Sequence, residues 1–242
     1  MQSWLNLFAH NHPAAGTATG IDGIFGPGTA HAVTNFQAAN QLDTSGIVDA
    51  ALFGLLCGPI NEAFSATSPG TGLRQIIVDI AQAHLAQRPF ELVINGQSNS
   101  GPWVRSYMGG NEGTAWFWCM GFAQTILDQA ASQQGKDFRN LMPLSFSCDE
   151  VGNHGKHSGA LIDSGDIRNN PGLVHPGDLF LLRRPISGWH HTGVIAAVGD
   201  TFFETLEGNT NTDGSPNGDG VYKRTRSFQN QLLDVFSIQT LV

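Results

Sequence analysis

Apolar residues recur along this chain first at helical spacing and later in strand-like runs, and a polar stretch divides it. Near the start, Trp4, Leu5, Leu7 and Phe8 cluster as on one side of a short helix. A polar, Gly-rich stretch follows to Thr19, then the turn-forming run Asp22-Gly23-Ile24-Phe25-Gly26-Pro27-Gly28-Thr29. Ala30, Val33 and Phe36 return at helical spacing, which predicts a second helix with Thr29 as its cap and Gly26 leaving the turn at positive φ. Gly46-Ile47-Val48-Asp49 and the apolar residues from Ala51 to Leu56 repeat the arrangement as a third helix. Residues 61–72 then turn to Ser, Thr, Pro and Gly, the composition of a linker.

Beyond it, Ile76, Ile77, Ile80, Ala81 and His84 line one face of a helix predicted over Leu73–Gln87, ended by Pro89. An irregular stretch containing Asn99-Ser100-Gly101-Pro102-Trp103 is expected to shape one wall of a cleft. Trp116-Phe117-Trp118-Cys119 then leads into Phe122, Ala123, Ile126, Leu127 and Ala130, the spacing of a buried helix with Cys119 at its start. From His175 onward the chain reads as strands: Leu179–Leu182, Thr192–Val198, Thr201–Leu206, Gly220–Arg226 and Leu233–Gln239. The expected architecture is α+β. A small three-helix unit occupies residues 1–60 and a linker residues 61–72. Residues 73–242 form a domain in which the Cys119 helix packs on an antiparallel sheet.

Composition narrows the chemistry. A net charge of -8 with no Lys/Arg stripe argues against nucleic acid as a partner. The apolar share is 40%, and no apolar run is long enough for membrane insertion. Cys57, Cys119 and Cys148 are too few for a disulfide framework and lack zinc-site spacing. Cys57 and Cys148 read as structural. A thiol at a helix start is different, because free N–H groups and the helix dipole favour its thiolate. No metal or other cofactor is expected. His154 and His157 read as a solvated loop. Asn209-Thr210-Asn211-Thr212-Asp213-Gly214 opens like a calcium loop, but Gly220 stands where such a loop needs Glu.

Two resemblances give these patterns a function. Asp22-Gly23 with Phe25-Gly26 and Thr29, Ala32-Val33 with Phe36-Gln37, and Gly46 with Val48-Asp49 resemble the type 1 peptidoglycan-binding domain, whose first helix would ordinarily start several residues ahead of Met1. That resemblance implies a wall-binding module, with Asp22 and Phe25 as candidate contacts to substrate. The second half resembles the CHAP family of cysteine- and histidine-dependent amidohydrolases/peptidases, in four motifs in order. These are Trp118-Cys119, Pro176-Gly177-Asp178, His191-Thr192-Gly193-Val194-Ile195 and Glu207-Gly208-Asn209. It implies a papain-like fold, Cys119 as nucleophile, His191 as base, Glu207 as the group that orients it, and Asn209 assisting. Trp118, Trp189 and His190 are the candidate substrate contacts in that domain.

Strand register bears on the choice between His190 and His191. A two-residue turn at Gly199-Asp200 sets His190 beside Asn209 and on the face of Glu207. An odd-numbered loop or a bulge turns His191 to that face instead, and the family pattern requires this second arrangement. The expected activity is hydrolysis of an amide bond in peptidoglycan, leaning to the N-acetylmuramoyl–L-alanine amidase over a stem-peptide endopeptidase. A non-catalytic wall-binding protein and a protein-modifying cysteine toxin are the alternatives. Met1-Gln2-Ser3-Trp4 does not begin a signal peptide, so action at the wall implies delivery by lysis or a specialised secretion route. An antibacterial effector would also imply an immunity or inhibitor protein as partner.

Overall fold

The computed structural model describes residues 1–242. It begins with three helices: α1 (Gln2–Asn11), α2 (Pro27–Ala39) and α3 (Ala50–Ser65). Leu5, Ala32, Val33, Phe36, Leu52 and Leu56 meet as their shared core. The polar stretch between α1 and α2 is folded onto α1 by Gln2. Its side-chain amide donates to Asp22 Oδ1 and Thr29 Oγ1 and accepts from the backbone of Asp22 and Gly23. Gly23 takes the positive φ expected of Gly26, which is extended and is itself the N-cap, so Thr29 is not the cap. Asp49 caps α3 by accepting from Leu52 N at 2.8 Å.

Helix α3 runs on to Ser65, through the first part of the stretch expected to be linker. The rest is pinned rather than loose. Ser68 is buried, its backbone exchanges hydrogen bonds with Gln133, and its hydroxyl bonds Asp79. Leu7, Ile60 and Ala63 join the large core that also holds α4 (Leu73–Ala86), so the three-helix unit and the rest share buried surface.

After α4 come a short hairpin, β1 (Leu92–Ile94) and β2 (Gln97–Ser100), the helix α5 (Pro102–Tyr107) and then α6 (Cys119–Gln133). Helix α7 (Cys148–Ser158) is capped by Ser147, and α8 (Ser164–Asn169) by Asp163. His154 and His157 therefore lie on a helix and not in a loop, and His154 Nε2 bonds Leu141 O. The strands are β3 (Leu161–Ile162), β4 (Leu179–Arg183), β5 (Trp189–Val198), β6 (Phe202–Thr210), β7 (Gly220–Ser227) and β8 (Leu233–Phe236). They form one antiparallel sheet in the order β3-β8-β4-β5-β6-β7. β5 starts three residues earlier than expected and takes in both histidines, while β6 runs on through Glu207 and Asn209.

Helix α6 lies across β5 and β6, with Phe122, Ala123, Ile126 and Leu127 fully buried. Its approach depends on Gly208, where an added Cβ would stand 2.6 Å from Phe122 Cβ. Helix α7 also packs on β5, and Gly152 plays the same part, since a Cβ there would stand 2.4 Å from the Trp189 ring. No helix is long and apolar enough to cross a membrane.

Candidate active site

Cys119 is the first residue of α6, so the leading N–H groups of that helix have no intrahelical acceptor and surround the thiol with positive potential. The turn that places it is fixed from β6. Asn209, fully buried at a φ of 56°, accepts from Trp118 N at 2.9 Å and donates to Asn217 and Gly218. Asn209 makes no hydrogen bond to His191. It holds the backbone that leads into Cys119.

Two bulges decide which histidine faces Glu207. Next to the turn, Val198 pairs with Phe203. A bulge at Ala196 then shifts the register, so that Ile195 pairs with Thr205 and Val194 with Leu206. This puts Glu207 and His191 on one face, with His191 Nε2 2.9 Å from Glu207 Oε2. On the other edge of β5, Leu182 pairs with His191 and Arg183 with Trp189, which leaves His190 as the extra residue of a second bulge. His190 is half-buried, and burial followed by the charge of His191 lowers its pKa.

Glu207 is held from three sides. Besides the imidazole, it accepts from Thr205 Oγ1 at 2.5 Å and from Arg226 through Nε at 2.8 Å and Nη2 at 2.5 Å. The Arg226 guanidinium lies 5.0 Å from the Phe180 ring centroid, and that ring is 5.8 Å from the ring of His191. Burial alone would raise the Glu207 pKa. The His191 and Arg226 hydrogen bonds and charges outweigh it and hold the carboxylate at about 2. Burial pushes the His191 pKa down, but the nearby Cys119, the Glu207 hydrogen bond and the negative charge of both carry it up to about 9. His191 Nδ1 is buried and has no conventional acceptor or donor beside it. It is the nitrogen left for the thiol, because Nε2 is taken by Glu207.

The Cys119 thiol is lowered well below its ordinary value, first by a hydrogen bond from Cys148 and then by His191, against the opposing effect of burial. The two sulfur atoms are 3.9 Å apart. Cys148, expected to be structural, thus belongs to the site, and its own pKa is raised by Cys119 and by burial. The three groups are closely covered: Cys119 is 2% exposed, and His191 and Glu207 are 0% exposed.

The tryptophans expected to contact substrate are core residues. Trp118 is fully buried, stacks on Tyr107 with centroids 5.6 Å apart, and donates its indole N–H to Glu91 at 2.9 Å. Trp189 is 2% exposed and donates to Asp234. The exposed aromatic residues of the segment leading into Cys119 are instead Trp116 and Phe117, with Trp116 edge-on to Phe146 at 6.4 Å. In the N-terminal unit the Asp22 carboxylate is engaged by Gln2 and by Ile24 N, a turn-holding role, whereas Phe25 is 56% exposed. Asn99, expected to help wall a cleft, is buried and ties the Gly113-Thr114 loop and Glu91 together.

Residues 1–56 match the model of the peptidoglycan binding domain family, and peptidoglycan is the partner that this match supports. Neither the curated proteins nor the solved structures give a match.

Proposed function

We propose that this protein is a peptidoglycan hydrolase that cleaves an amide bond with a Cys119–His191–Glu207 triad, held on the wall by its N-terminal module. The observation that carries the reading is the buried bond of His191 Nε2 to Glu207, at 2.9 Å, together with a thiol at the start of α6 whose pKa is lowered in part by His191. The motifs that resemble the CHAP family and the peptidoglycan binding match at residues 1–56 supply the substrate class. A helix bearing the nucleophile and a sheet bearing the base form the arrangement of a papain-like fold.

The chemistry follows from the charges. The Cys119 thiolate and the His191 imidazolium form an ion pair, stabilised by the helix start on one side and Glu207 on the other. The thiolate attacks the amide carbonyl, and free N–H groups at the start of α6 receive the developing oxyanion. His191 gives its proton to the leaving amine, and the neutral ring then activates water to hydrolyse the thioester. Arg226 keeps Glu207 ionised through the cycle, so the proton on His191 Nε2 stays on the ring while the one on Nδ1 is exchanged. The covered thiol requires the segments around it, among them the first turn of α7, to shift before substrate enters.

Digestion of purified sacculi by the wild type and by Cys119→Ala, with fragments identified by mass spectrometry, tests the proposal. The wild type is expected to release fragments and the variant none, while both bind. A free L-alanine amino group marks the N-acetylmuramoyl–L-alanine amidase, and new termini inside the stem peptide mark an endopeptidase. Release by neither, with binding retained, overturns catalysis on the wall. It leaves a binding protein or a cysteine enzyme that acts on another protein.

A further inference from the structure

The proposed mechanism uses one thiol, yet the fold brings two together. Cys119 is the first residue of α6, 15 residues long, and Cys148 the first residue of α7, 11 residues long. Two helix starts thus converge on one buried point, each with a cysteine at its first position. The sulfurs are in contact at 3.9 Å. The segments that carry them meet again at the surface, where Trp116 lies against Phe146. Neither thiol is in a disulfide. Closing one requires the sulfurs to approach from 3.9 Å to about 2.05 Å.

From this convergence we infer that Cys119 and Cys148 form a reversible redox pair, in which Cys148 resolves the oxidised nucleophile as an intramolecular disulfide. The inference builds on the proposed role of Cys119, but the bond itself depends only on the two thiols. The oxidant is a hydroperoxide, small enough to reach a covered thiolate. The Cys119 thiolate attacks the terminal oxygen of hydrogen peroxide. An S–O bond forms, the O–O bond breaks, and hydroxide leaves as water with the proton from His191. Cys119 is then a neutral sulfenic acid, and the negative charge that had held the proton on Cys148 is gone. The Cys148 sulfur attacks the Cys119 sulfur, the S–S bond forms and the S–O bond breaks. The hydroxide released takes the Cys148 proton and leaves as a second water. In sum, two thiols and one peroxide give one disulfide and two waters.

The disulfide has two effects. It removes the nucleophile, and it ties the first turn of α7 to the start of α6 over the site. It also protects the enzyme, because a sulfenic acid without a resolving thiol proceeds to sulfinic and sulfonic acids that ordinary thiols do not reverse. Cys57, half-buried on α3 in the N-terminal unit, is distant in the fold from this pair.

The test treats Cys57→Ser protein, with and without Cys148→Ser, with hydrogen peroxide, and reads intact mass and non-reduced peptide maps. With Cys148 present the protein is expected to lose two hydrogens and to link the Cys119 and Cys148 peptides. Dithiothreitol should restore the mass and any hydrolysis of sacculi. With Cys148→Ser, Cys119 is expected to gain two or three oxygens and not to recover. If Cys119 gains those oxygens equally fast in both proteins with no linked peptide, the inference is overturned and Cys148 is only a hydrogen-bond donor. Linkage without any hydrolysis of sacculi by the reduced protein would sustain the redox pair and refute the proposed hydrolase instead.

Discussion

At the scale of single residues, the site turns on how burial and charge share two protons. His191 is held above its ordinary value of 6.5, so the stability its charged form contributes is fully present below that value and lost as pH rises through about 9. Glu207 is held below its ordinary value of 4.5, so its contribution is present above that value and lost as pH falls through about 2. In the proposed mechanism a thiolate–imidazolium pair is the active form, and hydrolysis should therefore decline on an alkaline limb centred near 9. A rate that keeps rising past that limb would rule out the ion pair. Glu207→Gln removes the charge that orients the ring and leaves Arg226 facing a neutral amide. The rate is expected to fall roughly 10²–10⁴-fold. Breaking the buried pair should also cost about 3–5 kcal/mol in urea unfolding. A variant of unchanged activity would show that Glu207 only packs. Trp116 and Phe117, exposed in the segment that leads into Cys119, are more open to substrate than the buried Trp118 and Trp189. Trp116→Ala should raise KM with kcat nearly unchanged. A purely structural role would instead appear as a lowered melting temperature.

At the scale of elements, the site exists because α6 can lie close on β5 and β6 and because β5 is bulged. Gly208→Ala places a methyl group where Phe122 already stands, so α6 must lift from the sheet. The expected cost is about 1–3 kcal/mol of stability, together with a loss of activity beyond that of an exposed glycine such as Gly54→Ala. Equal behaviour of the two variants would mean that α6 tolerates the shift. The Tyr222, Arg224 and Arg226 alternation on β7 marks a polar face in sequence, yet which neighbour each residue meets depends on register. Arg226 was for that reason invisible as a partner of Glu207. Cys148 was missed for a related cause. Ser147 and Glu150 mark a helix start around it, but nothing local says that this start meets that of α6.

At the scale of the whole molecule, the N-terminal three-helix unit is not a bead on a string. Leu7, Ile60 and Ala63 lie in the large core with Ile76, Trp103 and Phe122, and His10 stacks on Phe90 at 3.6 Å. Calorimetry is expected to give one cooperative transition for the full chain, and Ile60→Ala to lower it, at a cost of about 2–4 kcal/mol. Two separate transitions, with only the first moved by Ile60→Ala, would mean that the units fold independently. The sequence by itself marked a helix over residues 2–9, one from Ala30 through Phe36 and one over 73–87, the strands after residue 178, and the peptidoglycan-binding pattern, close to the elements the fold contains. These are local facts of periodicity, capping and turn chemistry, written within a few residues of where they act. Only the tertiary structure decided that His191 faces Glu207, that Arg226 holds that carboxylate, that Trp118 and Trp189 are core, and that Cys148 touches Cys119. Each of these depends on a bulge or a close approach between segments far apart in the chain. A single-residue change of register reverses which face a side chain occupies, and no local pattern records it.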